Sequence, residues 1–414
     1  MQTKNKTMQV AGAIYLVSAL VLSACAAPAP APAPAPAPVV AAPEPTKVPA
    51  VPATDVPFVP AVAVDWNVAT SAGNMDDLVA AAQVEGVLNV ITLPRDWCNY
   101  GEMIDTFSAK YGIKVNSLNP DGGSADEIQA IKDNKDNKGP QAPDVIDVGP
   151  AYGPTSKEEG LVAAYKVATW DSIVGDKDPD GYYVVDYNGV MVFEVNTDIV
   201  KDVPKDWADL LDPKYKGQVA LAGDPRASNQ AAQSVFAAGM ASGGSLDDTT
   251  AGLEFFKKLS ASGNLLPLIA GSGTIAKGET PITFQWNYLA LANADTFAGN
   301  PPLEIVYPAS VNWGGYYLQG ISAYAPHPAA ARLWQEYLFS DEGQLTWMKG
   351  YCTPSRLADM LSRNVVPDDI KSKLPDPKII ETSVVPSGPQ LKAARANIKE
   401  KWDTVVGLDI KKAP

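Results

Sequence analysis

The chain has 414 residues, a formal net charge of −14, 46% hydrophobic residues and a single histidine. Such an acidic balance argues against nucleic acid and anionic lipid headgroups as partners, because both require basic patches. His327 lies between Pro326 and Pro328 and reads as a helix-entry residue. With no G-x-S-x-G elbow, no HExxH and no Walker loop beside it, the raw material for a triad, a zinc site or a nucleotide site is missing.

Lys4 and Lys6 precede an apolar run over residues 10–22, and Leu22-Ser23-Ala24-Cys25 closes it. The run is too short for a comfortable membrane span. The small residues before Cys25 match the bacterial lipoprotein box. Residues 1–24 are therefore expected to be a signal peptide, with Cys25 lipidated as the mature N-terminus. Residues 25–63 read as a stalk in which six prolines alternate with alanine from Pro28 to Pro38. Proline fixes φ and lacks an N–H, so this stretch predicts an extended spacer. At roughly 3.1 Å per residue it spans up to ~100 Å.

Residues 64–414 exceed one typical core and predict two lobes. Residues 74–85 have early acids, an apolar face and Gly86 as a stop, which predicts a helix. Residues 87–93 (VLNVITL) read as a buried strand. Residues 102–111 put Met103, Ile104, Phe107 and Tyr111 on one helical face, and 113–118 alternate as a strand. Ser124-Ala-Asp-Glu127 is a capping-box pattern opening a helix. Residues 144–148 are the next strand. This β-α-β-α-β order predicts a mainly parallel sheet covered by helices on both faces. Residues 182–196 form a long β-rich stretch broken at Asn188-Gly189, suited to crossing between lobes at a hinge. A second α/β region follows, with strands at 218–222, 281–284 and 304–307 and helices at 227–241 and 253–261. From Pro328 the chain returns to helix, with Leu333, Trp334, Tyr337 and Leu338 on one face and another helix beginning near Asp341. The first lobe is expected to take residues 64–187 with parts of 309–414, and the second about 195–305. Cys98 and Cys352 can pair outside the cytoplasm, which sequence alone leaves open.

Several stretches, in order, carry a family resemblance. They are Ala80-Ala-Ala-Gln-Val-Glu-Gly86, Phe107-Ser-Ala-Lys-Tyr-Gly-Ile113, Ala142-Pro-Asp-Val145 and Asp206-Trp-Ala-Asp-Leu-Leu-Asp-Pro-Lys-Tyr-Lys-Gly217. Lys277-Gly-Glu-Thr-Pro-Ile282 and Tyr337-Leu-Phe-Ser-Asp-Glu-Gly-Gln344 complete the set. Together they resemble the extracellular solute-binding proteins of ABC importers, in the group that includes ferric-ion, polyamine, phosphonate and thiamine binders. The resemblance implies a two-lobed type II periplasmic-binding-protein-like α/β fold with a ligand in the inter-lobe cleft. It further implies a membrane permease as partner, no cofactor, no catalysis, and a monomer held to the membrane through Cys25.

Open α/β sheets bind ligands at the carboxyl ends of their strands, where helix N-termini also point. Those positions nominate Trp97 after the first strand, Ser124 in Asp121-Gly-Gly-Ser124, and Asp147 and Tyr152 after the third strand. In the second lobe they nominate Arg226 and Ser228 in Asp224-Pro-Arg-Ala-Ser228, then Trp286 and Tyr288. Trp313 and Tyr316 are placed after the return crossover, and only one of Tyr316 and Tyr317 can face a cleft from a strand. Each has a plainer reading: packing for the tryptophans, capping for Ser124 and Asp147, a surface ion pair for Arg226. Aromatic exits beside Asp147 fit a small organic cation of polyamine or thiamine type. A phosphonate or phosphate ester is the alternative, through Ser124, Arg226, Ser228 and the Gly271-Ser-Gly-Thr274 loop. Ferric iron and sugar stay open as ligands, and a secreted hydrolase is the remote alternative.

Overall fold

The computed structural model describes residues 64–412; the signal peptide, Cys25 and the stalk lie outside the described residues. The first lobe begins with α1 (Met75–Glu85), whose cap Asn74 accepts the Asp76 N–H and whose stop, Gly86, has φ 70°. There follow β1 (Val87–Ile91), α2 (Tyr100–Tyr111), β2 (Lys114–Leu118), α3 (Ser124–Asp133), β3 (Val145–Val148), α4 (Tyr152–Glu158) and β4 (Val162–Ala163). Then β5 (Val184–Asn196) leads to β6 (Val219–Leu221), α5 (Asn229–Ala241), α6 (Thr250–Ala261), β7 (Leu265–Ile269) and α7 (Ser272–Ala276). β8 (Ile282–Trp286), α8 (Asn287–Phe297), β9 (Leu303–Val306) and β10 (Gly314–Ser322) complete the second lobe and the return. The C-terminal part holds α9 (Pro328–Leu338), α10 (Asp341–Lys349), β11 (Thr353–Pro354), α11 (Leu357–Ser362), α12 (Asp368–Lys371), α13 (Pro377–Glu381) and α14 (Gly388–Val405).

Parallel pairing joins β1 to β2, and joins β6 to both β7 and β8. The crossover strands supply the antiparallel pairs. β10 lies between β3 and β5, and β5 continues onto β8 and β9. β5 is the shared element: Val184–Val190 pair with β10, and Met191–Asn196 pair with β8 and β9. Asn188-Gly189 does not break this strand, contrary to the sequence expectation. The strand carries an irregularity next to that pair instead: between Asn188 and Val185 it has one residue more than β10 has between Tyr316 and Leu318, a bulge at Asp186-Tyr187. Trp313-Gly-Gly likewise opens the return crossover rather than following it, since β10 starts at Gly314.

Helix α9 packs on α1 and α2, and α14 packs on α5 and α6, so the C-terminal part clothes both lobes. Six tryptophans, Trp207, Trp286, Trp313, Trp334, Trp347 and Trp402, are almost completely buried. Gly315 shows how tightly this is built. A Cβ there would lie 2.1 Å from the Trp286 ring, so only a glycine lets the indole lie on the crossover strand.

Candidate ligand-binding cleft

The exit of β3, the N-terminus of α3 and the N-terminus of α5 meet around a chamber of about 120 Å³. Gly123, Ser124, Glu127 and Asp147 form one wall, with Ser228, Asn229 and Gln230 opposite and Trp97 and Tyr317 closing the sides. The walls touch at their edge. A Cβ on Gly149 would lie 2.4 Å from the Asn229 side chain, so the backbone leaving β3 sits directly against the start of α5. Beyond Trp97 the chamber opens into a vestibule of about 560 Å³ that includes Ser272, Lys277 and Gln285.

Local chemistry explains how each wall is held. The true cap of α3 is Gly123, whose N–H donates to the Asp126 carboxylate at 2.8 Å. The expected box of Ser124 with Glu127 is therefore displaced by one residue. Ser124 Oγ accepts the Gly149 N–H at 3.0 Å, and Glu127 turns inward, where its Oε2 accepts the Asp147 N–H at 2.9 Å. Ser228 caps α5 by accepting the Ala231 N–H. Two helices thus aim their N-termini, each a partial positive charge with spare N–H donors, at one small space.

Asp147 is the hub of the acidic wall. Its Oδ2 accepts from the hydroxyls of Tyr100 and Tyr187, both at 2.8 Å, and Tyr187 in turn accepts the Trp97 indole N–H at 2.7 Å. Gln319 Nε2 donates to Tyr100 Oη and to the buried Asp186 carboxylate. Burial pushes Asp147 up to about 6, opposed by the tyrosine hydroxyls that favour its charged form. Burial and then the neighbouring Asp147 charge raise Glu127 and Asp186 well above the usual carboxylate range.

Four polar atoms on chamber-lining residues are buried without a hydrogen-bond partner: Glu127 Oε1, Asp147 Oδ1, Asn229 Nδ2 and Thr92 Oγ1. Orphans of this kind are costly and rare in native proteins. Here the Asp147 oxygen lacks a donor and the Asn229 amide lacks an acceptor, while Glu127, raised well above the usual carboxylate range, keeps a proton that its free oxygen can donate.

Trp97 projects from a constrained loop. Cys98 and Asn99 both have positive φ, 45° and 62°, and Cys98 is joined to Cys352 with Cα atoms 5.7 Å apart. The indole stands edge-on to Tyr288 and Tyr317, with centroids 5.6 and 5.3 Å away.

The structure brings Trp97, Ser124, Asp147 and Ser228 together at the chamber. Tyr288 lies behind Trp97 in the aromatic cluster, fully buried, with its hydroxyl unpartnered. Trp286 is core, with its indole N–H on Tyr317 Oη, and Trp313 is core, with its N–H on Gln233. Tyr316 points away and donates to Asp176. Tyr152 and Arg226 flank a separate depression outside the chamber, and Arg226 is paired with Asp224, Asp403 and Asp409. Sequence reasoning missed Glu127, Asn229, Gln230 and Tyr317. Asn229 and Gln230 open the helix that Ser228 caps, the one signal that pointed their way. Among the described residues no group of three or more His, Cys, Asp or Glu side chains is arranged to hold a metal ion.

Two lobes sharing crossover strands, with a polar chamber between helix N-termini, define a binding protein that closes around a small solute. The family model for bacterial extracellular solute-binding proteins matches residues 141–382. The chain belongs to that family. An uncharacterised Haemophilus influenzae protein is 33% identical over 264 residues, covering 59% of this chain and 70% of the relative. A Salmonella typhimurium protein named for 2-aminoethylphosphonate binding is 28% identical over 215 residues, covering 51% of this chain and 58% of its own length. The periplasmic binding protein AfuA of Actinobacillus pleuropneumoniae, solved with fructose-6-phosphate, superposes with a TM-score of 0.62 at 22% identity, covering 78% of this chain and 98% of that one. At that identity the likeness shows the fold. The protein is accordingly a solute-binding component of an ABC importer that works outside the cytoplasm, and no helix among the described residues is long and apolar enough to cross a membrane.

Proposed function

We infer that the solute is a small zwitterion carrying a protonated amine and a phosphonate or phosphate group, delivered to a membrane permease without chemical change. The observation that carries this reading is the set of orphaned atoms in the chamber. Asp147 Oδ1 suits an ammonium, whereas the protonated Glu127, Asn229 Nδ2 and the N-termini of α3 and α5 suit a phosphorus oxyanion. The name of the Salmonella typhimurium relative points to the same chemistry. A purely cationic polyamine or thiamine type satisfies Asp147 and leaves the α5 wall unanswered. Residues 1–24 act as the export signal, Cys25 carries the lipid, and residues 25–63 tether a monomeric binding unit formed by residues 64–414.

A thermal-shift and calorimetric screen of 2-aminoethylphosphonate, putrescine, thiamine, fructose-6-phosphate and ferric iron tests this directly. The true ligand stabilises by RT ln(1 + [L]/Kd), about 2.7 kcal/mol at a hundredfold excess over Kd. Saturable stabilisation by 2-aminoethylphosphonate is expected. A shift with putrescine or thiamine alone restores the cation reading, and turnover of any bound compound ends the assignment as a binder.

A further inference from the structure

We propose that Arg395, on the C-terminal helix, is a positioning residue that clasps the two walls of the cleft in the closed state and thereby sets ligand affinity without touching ligand. Helix α14 is seated on the second lobe. Leu391, Ala394, Ile398 and Trp402 form its buried face against α5 and α6, and Trp402 packs on Phe256 with centroids 5.8 Å apart. Arg226, just before α5, holds Asp403 and Asp409 near the far end of this helix, each at 2.8 Å. The helix and the α5 wall therefore travel together.

From this platform α14 reaches to the other wall. Arg395 Nη2 donates to the hydroxyl of Tyr152, the first residue of α4, and to the Ala227 carbonyl at 3.1 Å. The guanidinium also lies 4.7 Å above the Tyr152 ring, a cation–π contact. Lys392 adds an ion pair to Glu158 in α4. Tyr152 follows the exit of β3, which carries Asp147. Ala227 precedes Ser228, the cap of α5 in the chamber. One guanidinium thus ties the segment behind Asp147 to the segment in front of Asn229, from a depression of about 190 Å³ that is separate from the chamber. The other nitrogen of that fork, Nη1, is buried without a partner, so closure leaves one donor unsatisfied that opening to water would satisfy. A clasp with that built-in cost holds the walls reversibly.

If the closed form is the binding-competent one, apparent affinity scales with its population in the free protein. The clasp rests on the cleft being the ligand site, but its effect on the free protein is independent of which ligand binds. The experiment uses the full-length chain in detergent, with spin labels at Asp133→Cys and Lys257→Cys and distances read by pulsed electron resonance. Arg395→Gln and the milder Tyr152→Phe are expected to shift the ligand-free distances toward a longer, open population. They should raise the dissociation rate of 2-aminoethylphosphonate about tenfold, with the double variant no worse than Arg395→Gln alone. Distances unchanged in both variants overturn the clasp whether or not that ligand binds. A changed ratio of affinities between 2-aminoethylphosphonate and fructose-6-phosphate also overturns it, because Arg395 would then be reading the ligand itself. Absence of binding to the unmodified protein counts against the zwitterion reading and leaves the distance test of the clasp intact.

Discussion

In the proposed zwitterion reading Asn229 and Asp147 divide the recognition between them, and each makes a separable prediction. Asn229 Oδ1 already accepts from Gln233, which leaves Nδ2, near Tyr317, as the buried donor of this chamber-lining residue. Asn229→Asp keeps that acceptor and replaces the free donor with a charged oxygen. Affinity for a phosphonate measured by calorimetry should fall at least ~100-fold, about 3 kcal/mol, with little change in melting temperature. Asp147 contributes to the pH dependence between 4 and 7, alongside the buried Glu127, Asp186 and Glu194, whose carboxyls are also raised by burial. The folded value of Asp147, about 6, is raised above the ordinary 3.8, so the folded state holds the proton more tightly than the unfolded chain does. The stability this contributes is fully present below about pH 4 and is lost as pH rises through 6. The ligand-free protein should therefore melt higher at pH 5 than at pH 7, while an amine ligand, which needs the ionised carboxylate, should bind more weakly at pH 5. Asp147→Asn should reduce the difference between pH 4 and 7 and bind an amine-free phosphonate better than an aminophosphonate. An unaltered pH slope in that variant would place the titration elsewhere. At this scale the sequence was legible where a residue sits at a strand exit, as with Trp97 and Asp147. It gave Glu127 only as a capping-box residue and left Tyr316 and Tyr317 as alternatives, because what aims those side chains is a helix start displaced by one residue and a bulge in the pairing of β5 with β10.

Helices and strands were read more completely than the residues they carry, for a physical reason. Apolar periodicity and caps are local, so α1, α2, β1 and α9 show in the chain itself, whereas the role of Asn188-Gly189 depends on what lies alongside. With β10 on one flank and β11 on the other at Asn188, the strand is held through this point, and the irregularity is taken up as a bulge at Asp186-Tyr187 rather than as a break. The loop carrying Trp97 is the opposite case, since its two successive positive-φ residues are anchored by long-range contacts, Cys98 to Cys352 and Asn99 to the Thr346 carbonyl, as well as by Asn99 donating to Glu102. Its link to Cys352 closes a sequence separation of 254 residues. Loss of a native disulfide typically costs 2–5 kcal/mol, with longer loops toward the upper end of chain-entropy estimates. Cys98→Ser with Cys352→Ser should lower the calorimetric melting temperature and weaken ligand binding about tenfold, because the Trp97 wall loses its anchor. A lower melting temperature with undiminished affinity would show that the aromatic contacts to Tyr288 and Tyr317 suffice to place the indole.

For the whole molecule, capture and delivery make different demands on the chain. The chamber belongs to residues 92–317, and its chemistry is complete without the first 63 residues. Those residues matter only if the closed, loaded form must find a permease in a membrane, where a tether replaces bulk diffusion by a high local concentration. Under the proposed lipid anchor, a spacer of alanine and proline, which resists collapse better than a glycine-rich one, would keep the binding unit within reach of the membrane without laying its acidic surface on the lipid. Cys25→Ser should therefore leave calorimetric affinity unchanged, since the residues that line the described chamber lie between Thr92 and Tyr317. Uptake of labelled ligand by cells should fall steeply at limiting concentrations of the released protein and recover when that protein is added in excess. Shortening the spacer to a few residues tests reach separately from anchoring: binding stays intact and uptake falls even though the lipid is present. Equal uptake by the anchored, released and shortened forms would mean that delivery proceeds by free encounter, and that the proline spacer serves something other than transport.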